Sequence, residues 1–190
     1  MKILGIIWMV FVALSSAALA QSGIDTCEAI FPETLKAALK IQYPAYRVVR
    51  VSDYNARTIK ELRGSDPTKA CLAVASADID GDGFRDIGFF LTDLSGQTVL
   101  LAARHFKGRS WQISKLMDFP KGELGSSYVE VIEPGSYEDM YADTPDYEEE
   151  AGRLELFKSN TSGFLAGTID SSGVAFFFSG TQWVHLWLSD

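Results

Sequence analysis

Apolar residues fall into short groups along this chain, and the spacing within the groups differs between its two parts. In the first part, Leu35, Ala38 and Leu39 recur at steps of three and four residues, which is the period of one helical face. Prolines flank this group, as expected for helix boundaries. The pattern predicts two N-terminal helices, one between Pro32 and Tyr43 and one near Tyr54–Leu62.

After the second predicted helix, the apolar groups become short runs separated by Gly, Ser, Asp and Asn. Runs with this punctuation are typical of an antiparallel meander. The predicted fold class is therefore α+β, with the two N-terminal helices packed on a mainly antiparallel β-sheet meander. The predicted strands are Tyr46–Val51, Cys71–Ala77, Ile87–Thr92, Thr98–Arg104, Trp111–Leu116, Tyr128–Ile132, Arg153–Lys158, Gly163–Thr168, Val174–Phe178 and Trp183–Leu188.

One late strand carries aromatic residues in succession. Because side chains alternate along a strand, Phe176 and Phe178 are expected on one face of the sheet and Phe177 on the other. A sheet that is apolar on both faces needs a cover on each, supplied by the helices or by a partner.

An acidic loop between two predicted strands carries the strongest chemical signal. It has the pattern DxDxDGxxD, with carboxylates at positions 1, 3, 5 and 9 and glycine at position 6. Alternate positions of a tight loop can face one centre, and Ca²⁺ takes several oxygen ligands at about 2.3–2.6 Å. The predicted calcium ligands are the carboxylates of Asp78, Asp80, Asp82 and Asp86 and the backbone carbonyl of Phe84.

Two other interpretations of this loop are a metal-free Asp/Gly turn and a site for another divalent ion. Acids packed this closely repel one another unless a cation is present, which favours the metal. The loop is not an EF-hand, because position 12 is Phe89 and a strand follows. Ile79, between two of the acids, is expected to point into the core.

The segment Ala77–Gly88 resembles the calcium loop of FG-GAP and VCBS-type repeats. The chain also resembles a group of small exported bacterial proteins of unknown function that carry one such loop and end in an aromatic strand pair, here from Asp170 to Asp190. The resemblance implies calcium binding by the acids of the loop. It does not imply the propeller fold of the repeat families, because this chain has a single copy.

The N-terminus has the pattern of a secretory signal peptide. Lys2 precedes an apolar stretch, and Ala18 and Ala20 are small residues at the expected cleavage site. Residues 1–20 are predicted to be removed, which leaves residues 21–190 as one globular domain in the periplasm or outside the cell, with no membrane attachment. An uncleaved membrane anchor is the alternative.

The chain has two cysteines, Cys27 and Cys71. In an exported protein two cysteines most simply form one disulfide. Two buried free thiols are the alternative.

The formal net charge of −8 disfavours binding to nucleic acid and suits cations or a basic protein partner. Residues 138–150 concentrate acids and tyrosines without a basic residue. This segment is interpreted as a solvated loop, a docking surface for a basic partner or a weak second cation site.

No catalytic residue is predicted. The two histidines, His105 and His185, are interpreted as structural or surface residues, and the usual hydrolase and phosphate-binding motifs are absent from the sequence. Three hypotheses follow: a non-enzymatic domain stabilised by calcium, an inhibitor or immunity protein that binds a toxin or hydrolase, and a hydrolase with an unrecognised site.

Overall fold

A computed structural model describes residues 25–63, 71–107, 110–144 and 150–188. The predicted signal peptide, residues 1–20, lies outside these ranges. Among the helices in them, none has the length and apolarity needed to span a membrane. The helices are α1 (Thr26–Ala29), α2 (Glu33–Gln42) and α3 (Ala56–Arg63). The strands are β1 (Tyr46–Val48), β2 (Val74–Ala77), β3 (Asp86–Asp93), β4 (Thr98–Arg104), β5 (Gln112–Phe119), β6 (Ser127–Ile132), β7 (Gly135–Glu138), β8 (Leu156–Ser159), β9 (Gly163–Thr168), β10 (Gly173–Phe178) and β11 (Trp183–Leu188).

The predicted α+β class, with two N-terminal helices packed on one sheet, is wrong. Of the residues that the structure describes, 43% are in strands and 17% in helices, and the strands form antiparallel sheets. The reason is that the helical segment covers only one face of the first sheet, where Phe31 contacts Phe89, and a second sheet covers the other face, where Phe164 packs on Gly88.

The first sheet has the strand order β1-β3-β4-β5, and β2 pairs with β3 on the same edge as β1. The second sheet has the order β11-β10-β9-β6, and β7 pairs with β8 as a separate hairpin. A backbone hydrogen bond of 2.8 Å, from the N–H of Val129 in β6 to the carbonyl of Leu72, links the second sheet to the segment that leads into β2. The hairpin lies in the chain between β6 and β9, which pair with each other in the second sheet.

The first sheet is buried on both faces. Phe89 and its cross-strand partner Leu101 lie on the face that contacts Phe31, and Gly88 lies on the opposite face, which packs on Phe164 of the second sheet. At Gly88 the sheets approach so closely that a Cβ atom would lie 2.7 Å from the ring of Phe164. A side chain at this position would force the sheets apart.

The outer face of the second sheet is covered by the β7–β8 hairpin. The ring of Phe177 lies 5.1 Å from that of Tyr137 and 5.4 Å from that of Phe157, measured between centroids. Phe176 and Phe177 therefore face opposite sides of β10, as predicted from their alternation. The second apolar face of this sheet is thus covered by a hairpin of the same chain.

The N-terminal segment is held to the first sheet by apolar packing and by a disulfide. Leu35 and Leu39 of α2 are buried, and the ring of Phe31 meets that of Phe89 at 5.0 Å. Cys27 and Cys71 form a disulfide, which confirms that prediction. The bond ties α1 to the segment that leads into β2.

Replacing both cysteines by alanine is expected to lower the free energy of unfolding by about 4 kcal/mol, because the bond closes a loop with a sequence separation of 44 in the unfolded chain. Urea unfolding with and without a thiol reductant measures this loss. The reductant should destabilise the wild type and leave the double variant unchanged. Equal midpoints for the two oxidised proteins would contradict the expectation.

Candidate metal centre

The acidic loop connects β2 to β3, and its ends are held in register by the pairing of Ala77 with Asp86. Gly81 and Gly83 have φ values of 78° and 85°, a backbone conformation that other residues adopt only at a cost. Ile79 is fully buried, as predicted. Two left-handed glycines and one buried anchor thus bend the loop over the edge of the first sheet.

Backbone N–H groups orient the first carboxylate of the loop. Asp78 accepts hydrogen bonds from the N–H of Gly81 at 2.8 Å and from that of Gly83 at 2.9 Å, one on each carboxylate oxygen. Each oxygen retains a second lone pair for another partner. The turn therefore holds the Asp78 carboxylate in place without using all of its acceptor capacity.

Asp86, the first residue of β3, is fully buried. Its two oxygens accept hydrogen bonds from the N–H of Ile79 at 3.1 Å and from that of His105 at 2.8 Å. Burial raises the pKa of Asp86 to about 6. The negative charges of Asp80 and Asp82 also raise this pKa, whereas the two backbone hydrogen bonds lower it. The protein pays a free-energy cost to keep this carboxylate ionised.

The loop brings three of the predicted ligands together. One oxygen from each of Asp78, Asp80 and Asp86 lies within 4.8 Å of the others. Two oxygens that share one ion at about 2.4 Å can be no more than about 4.8 Å apart, so the spacing fits a metal ion of that size. The donors are all oxygen atoms, which hard cations prefer. The group can therefore hold a metal ion.

The other two predicted ligands are placed differently. Asp82 is exposed and is not a member of the group of three, and one of its oxygens accepts a hydrogen bond of 2.8 Å from the N–H of Phe84. The carbonyl of Phe84 as a backbone ligand stays a prediction. The ring of Phe84 lies 5.6 Å from that of His105.

Sequence reasoning missed two side chains that contact the loop. Arg104 lies with its Nη1 atom 3.4 Å from an Asp80 oxygen, and the hydroxyl of Thr161 donates to the carbonyl of Ile79 at 2.9 Å. Both are distant in sequence from the loop, so spacing could not reveal them. The available signal was a charged residue that directly follows the apolar run of residues 99–103 within β4.

The two histidines have different surroundings. The imidazole of His105 stacks on Trp111, with ring centroids 4.5 Å apart. His185 lies 3.2 Å from a carboxylate oxygen of Glu150, and a cleft lined by such a pair would favour the hydrolase hypothesis. The pocket between α2 and β1 is not lined by either histidine.

The acidic segment 138–150 is only partly solvated. Asp139 is buried and accepts hydrogen bonds from Arg153 and from the N–H groups of Tyr141 and Trp187. Burial alone would raise the pKa of Asp139, but these hydrogen bonds outweigh it and lower the pKa. Asp139 thus fixes the hairpin to β11, and residues 145–149 lie outside the described ranges.

A cleft of about 410 Å³ lies between α2 and β1. Its basic lining includes Lys36 and Arg47, which are paired with Glu33 at 2.8 Å and with Asp53 at 2.7 Å. Two of its cations are therefore already neutralised, and the cleft does not define a particular ligand.

No family model, no curated protein and no solved structure matches this chain. The resemblance of the loop to FG-GAP and VCBS-type repeats therefore stays a prediction. The functional argument rests on the geometry of the site.

Metal-free protein is expected to lose stability as the pH rises from about 4 to about 6. Because the pKa of Asp86 is raised on folding from 3.8 to about 6, its favourable contribution is complete below pH 4 and disappears once the pH passes 6. The expected loss is on the order of 3 kcal/mol. Urea unfolding across this range, with Asp86→Asn as the control, measures it.

The variant should show a flatter dependence of stability on pH than the wild type. Its absolute stability is not the readout, because the amide also disturbs one of the two backbone hydrogen bonds. Parallel pH profiles for the two proteins would contradict the assignment of this titration to Asp86.

Proposed function

We propose that the loop from Asp78 to Asp86 binds one calcium ion and that the ion stabilises a non-enzymatic, exported domain. The observation that carries the proposal is the convergence of Asp78, Asp80 and Asp86 within 4.8 Å, with Asp86 fully buried. A buried carboxylate beside two others is costly unless a cation compensates it.

Calcium is favoured over other ions by the donor set. Carboxylates from one short loop, without histidine or cysteine, suit a hard cation rather than zinc or copper. Magnesium demands near-ideal octahedral geometry, whereas calcium tolerates irregular coordination by a bent loop. Asp82 and the carbonyl of Phe84 complete the proposed ligand set.

Export is supported by the disulfide between Cys27 and Cys71, since such bonds persist mainly in oxidising compartments. The signal-peptide pattern at residues 1–20 points the same way. The proposed location is the periplasm or the exterior of the cell. The ion occupies a structural position in this proposal, because the loop carboxylates that bind it are unavailable as general acids or bases.

Adding calcium to metal-free protein is expected to raise the melting temperature by about 5–10 °C at a concentration a hundredfold above the Kd, because an ion that binds only the folded state stabilises it by mass action. A thermal melt followed by circular dichroism, before and after a chelator, measures the shift. Magnesium at the same concentration should give a smaller shift.

Asp80→Asn should abolish most of this response, since it removes one charged ligand while keeping an oxygen in place. Asp118→Asn is the matched control, because it removes the same charge from an exposed ion pair with Lys115. A wild type that does not respond to calcium, or an Asp80→Asn variant that responds as fully as Asp118→Asn, would sink the proposal.

A further inference from the structure

An arginine is buried against the acidic loop. Arg104 is the last residue of β4, and its side chain is 10% exposed. Its Nη1 atom lies 3.4 Å from an oxygen of Asp80, whose side chain is 9% exposed. A positive charge is therefore held beside one of the three carboxylates that converge in the loop.

The guanidinium is fixed in this position by groups that do not neutralise it. It lies on the ring of Phe178, 3.6 Å from the ring centre, with the ring of Phe106 at 5.0 Å. A second nitrogen donates to the side-chain carbonyl of Gln112. Aromatic faces and an amide oxygen attract a cation without carrying a full negative charge. These contacts therefore hold the guanidinium beside the loop and leave its positive charge uncompensated.

The environment of Arg104 is unfavourable for an arginine in one respect. Its Nε atom is buried and has no hydrogen-bond partner among the described residues. Burying a charged group with an unsatisfied donor costs free energy. The negative charge of Asp80, the ring of Phe178 and the amide of Gln112 together offset this cost.

We propose that Arg104 is a built-in counter-ion of the loop that lowers its calcium affinity. This inference rests on the proposed function. Without metal, the guanidinium compensates part of the charge of the loop and keeps the metal-free domain folded. When calcium binds, the guanidinium repels it, because both cations share the carboxylate of Asp80.

The consequence is a site tuned to high calcium concentrations. Loops of extracellular modules fill at about 10⁻⁴–10⁻³ M, whereas intracellular sensors fill at far lower concentrations. A second positive charge at hydrogen-bond distance from a ligand repels the calcium ion and is expected to weaken its binding by on the order of tenfold. Arg104 would thus restrict occupancy to compartments where calcium is abundant.

Arg104→Met tests the inference, because methionine fills the space beside Phe178 and removes the charge. The variant is expected to bind calcium about tenfold more tightly than the wild type by isothermal titration calorimetry, and to melt at a lower temperature when metal-free. Arg104→Lys is the matched control, since it keeps the charge. Its calcium Kd should stay within about twofold of the wild-type value.

A merely structural role for Arg104 predicts the opposite result, since loosening the loop would weaken calcium binding. The inference is overturned if Arg104→Met binds calcium as weakly as the wild type or more weakly, or if Arg104→Lys tightens binding as much as methionine does. A wild type that does not bind calcium overturns the inference together with the proposed function. Binding by the wild type without tightening in the variant overturns the inference alone.

Gln112→Ala provides a second test of the inference if the Arg104→Met variant does not fold. Gln112 is exposed, and its loss frees one nitrogen of the guanidinium without removing the charge. A less tightly held Arg104 should oppose calcium less, so a tightening of about twofold is expected. Weaker calcium binding by Gln112→Ala would contradict the counter-ion role.

Discussion

The buried carboxylate of Asp86 is the contact on which the loop and its neighbouring strands depend. Its two oxygens accept hydrogen bonds from Ile79, inside the loop, and from His105, just after β4. One side chain at the start of β3 therefore connects three segments. Burial still raises its pKa to about 6, so the two hydrogen bonds alone do not compensate for the lost hydration. A cation shared with Asp78 and Asp80 would supply the remaining compensation.

The loop lies where the layers of the fold meet, which gives a bound ion an effect beyond one hairpin. Thr161, in the turn before β9, donates to the carbonyl of Ile79 and so attaches the loop to the second sheet. Arg104 bridges the same junction, with its guanidinium between Asp80 and the ring of Phe178 on β10. The disulfide at Cys71 holds the segment that leads into β2. An ion in the loop would therefore stabilise the contact between the sheets.

Local patterns in the sequence located most of the strands. The predicted strands Thr98–Arg104, Gly163–Thr168 and Trp183–Leu188 coincide with β4, β9 and β11. Alternation and turn residues are local signals, so they identify a strand well. They do not identify its partners, and the predicted single sheet covered by helices missed the second sheet, which covers the face of the first sheet opposite Phe31. β7 was missed because it begins at Gly135, within a turn-like Pro-Gly sequence.

For the candidate site, as for the strands, the local pattern was predictable from the sequence and the tertiary contacts were not. The spacing of the acids identified the loop, and the structure brings Asp78, Asp80 and Asp86 together. It leaves Asp82 exposed and outside that group, because its carboxylate turns back to the N–H of Phe84. The contribution of Arg104 depends on a tertiary contact across 24 positions, which periodicity cannot reveal.

Anomalous diffraction from crystals grown with calcium tests the central claim most directly. The account predicts one strong anomalous peak bounded by the carboxylate oxygens of Asp78, Asp80 and Asp86, at distances of about 2.3–2.6 Å from each. The peak should disappear from crystals of Asp80→Asn grown in the same solution. Well-ordered wild-type crystals with calcium in excess and no peak at this loop would contradict the account.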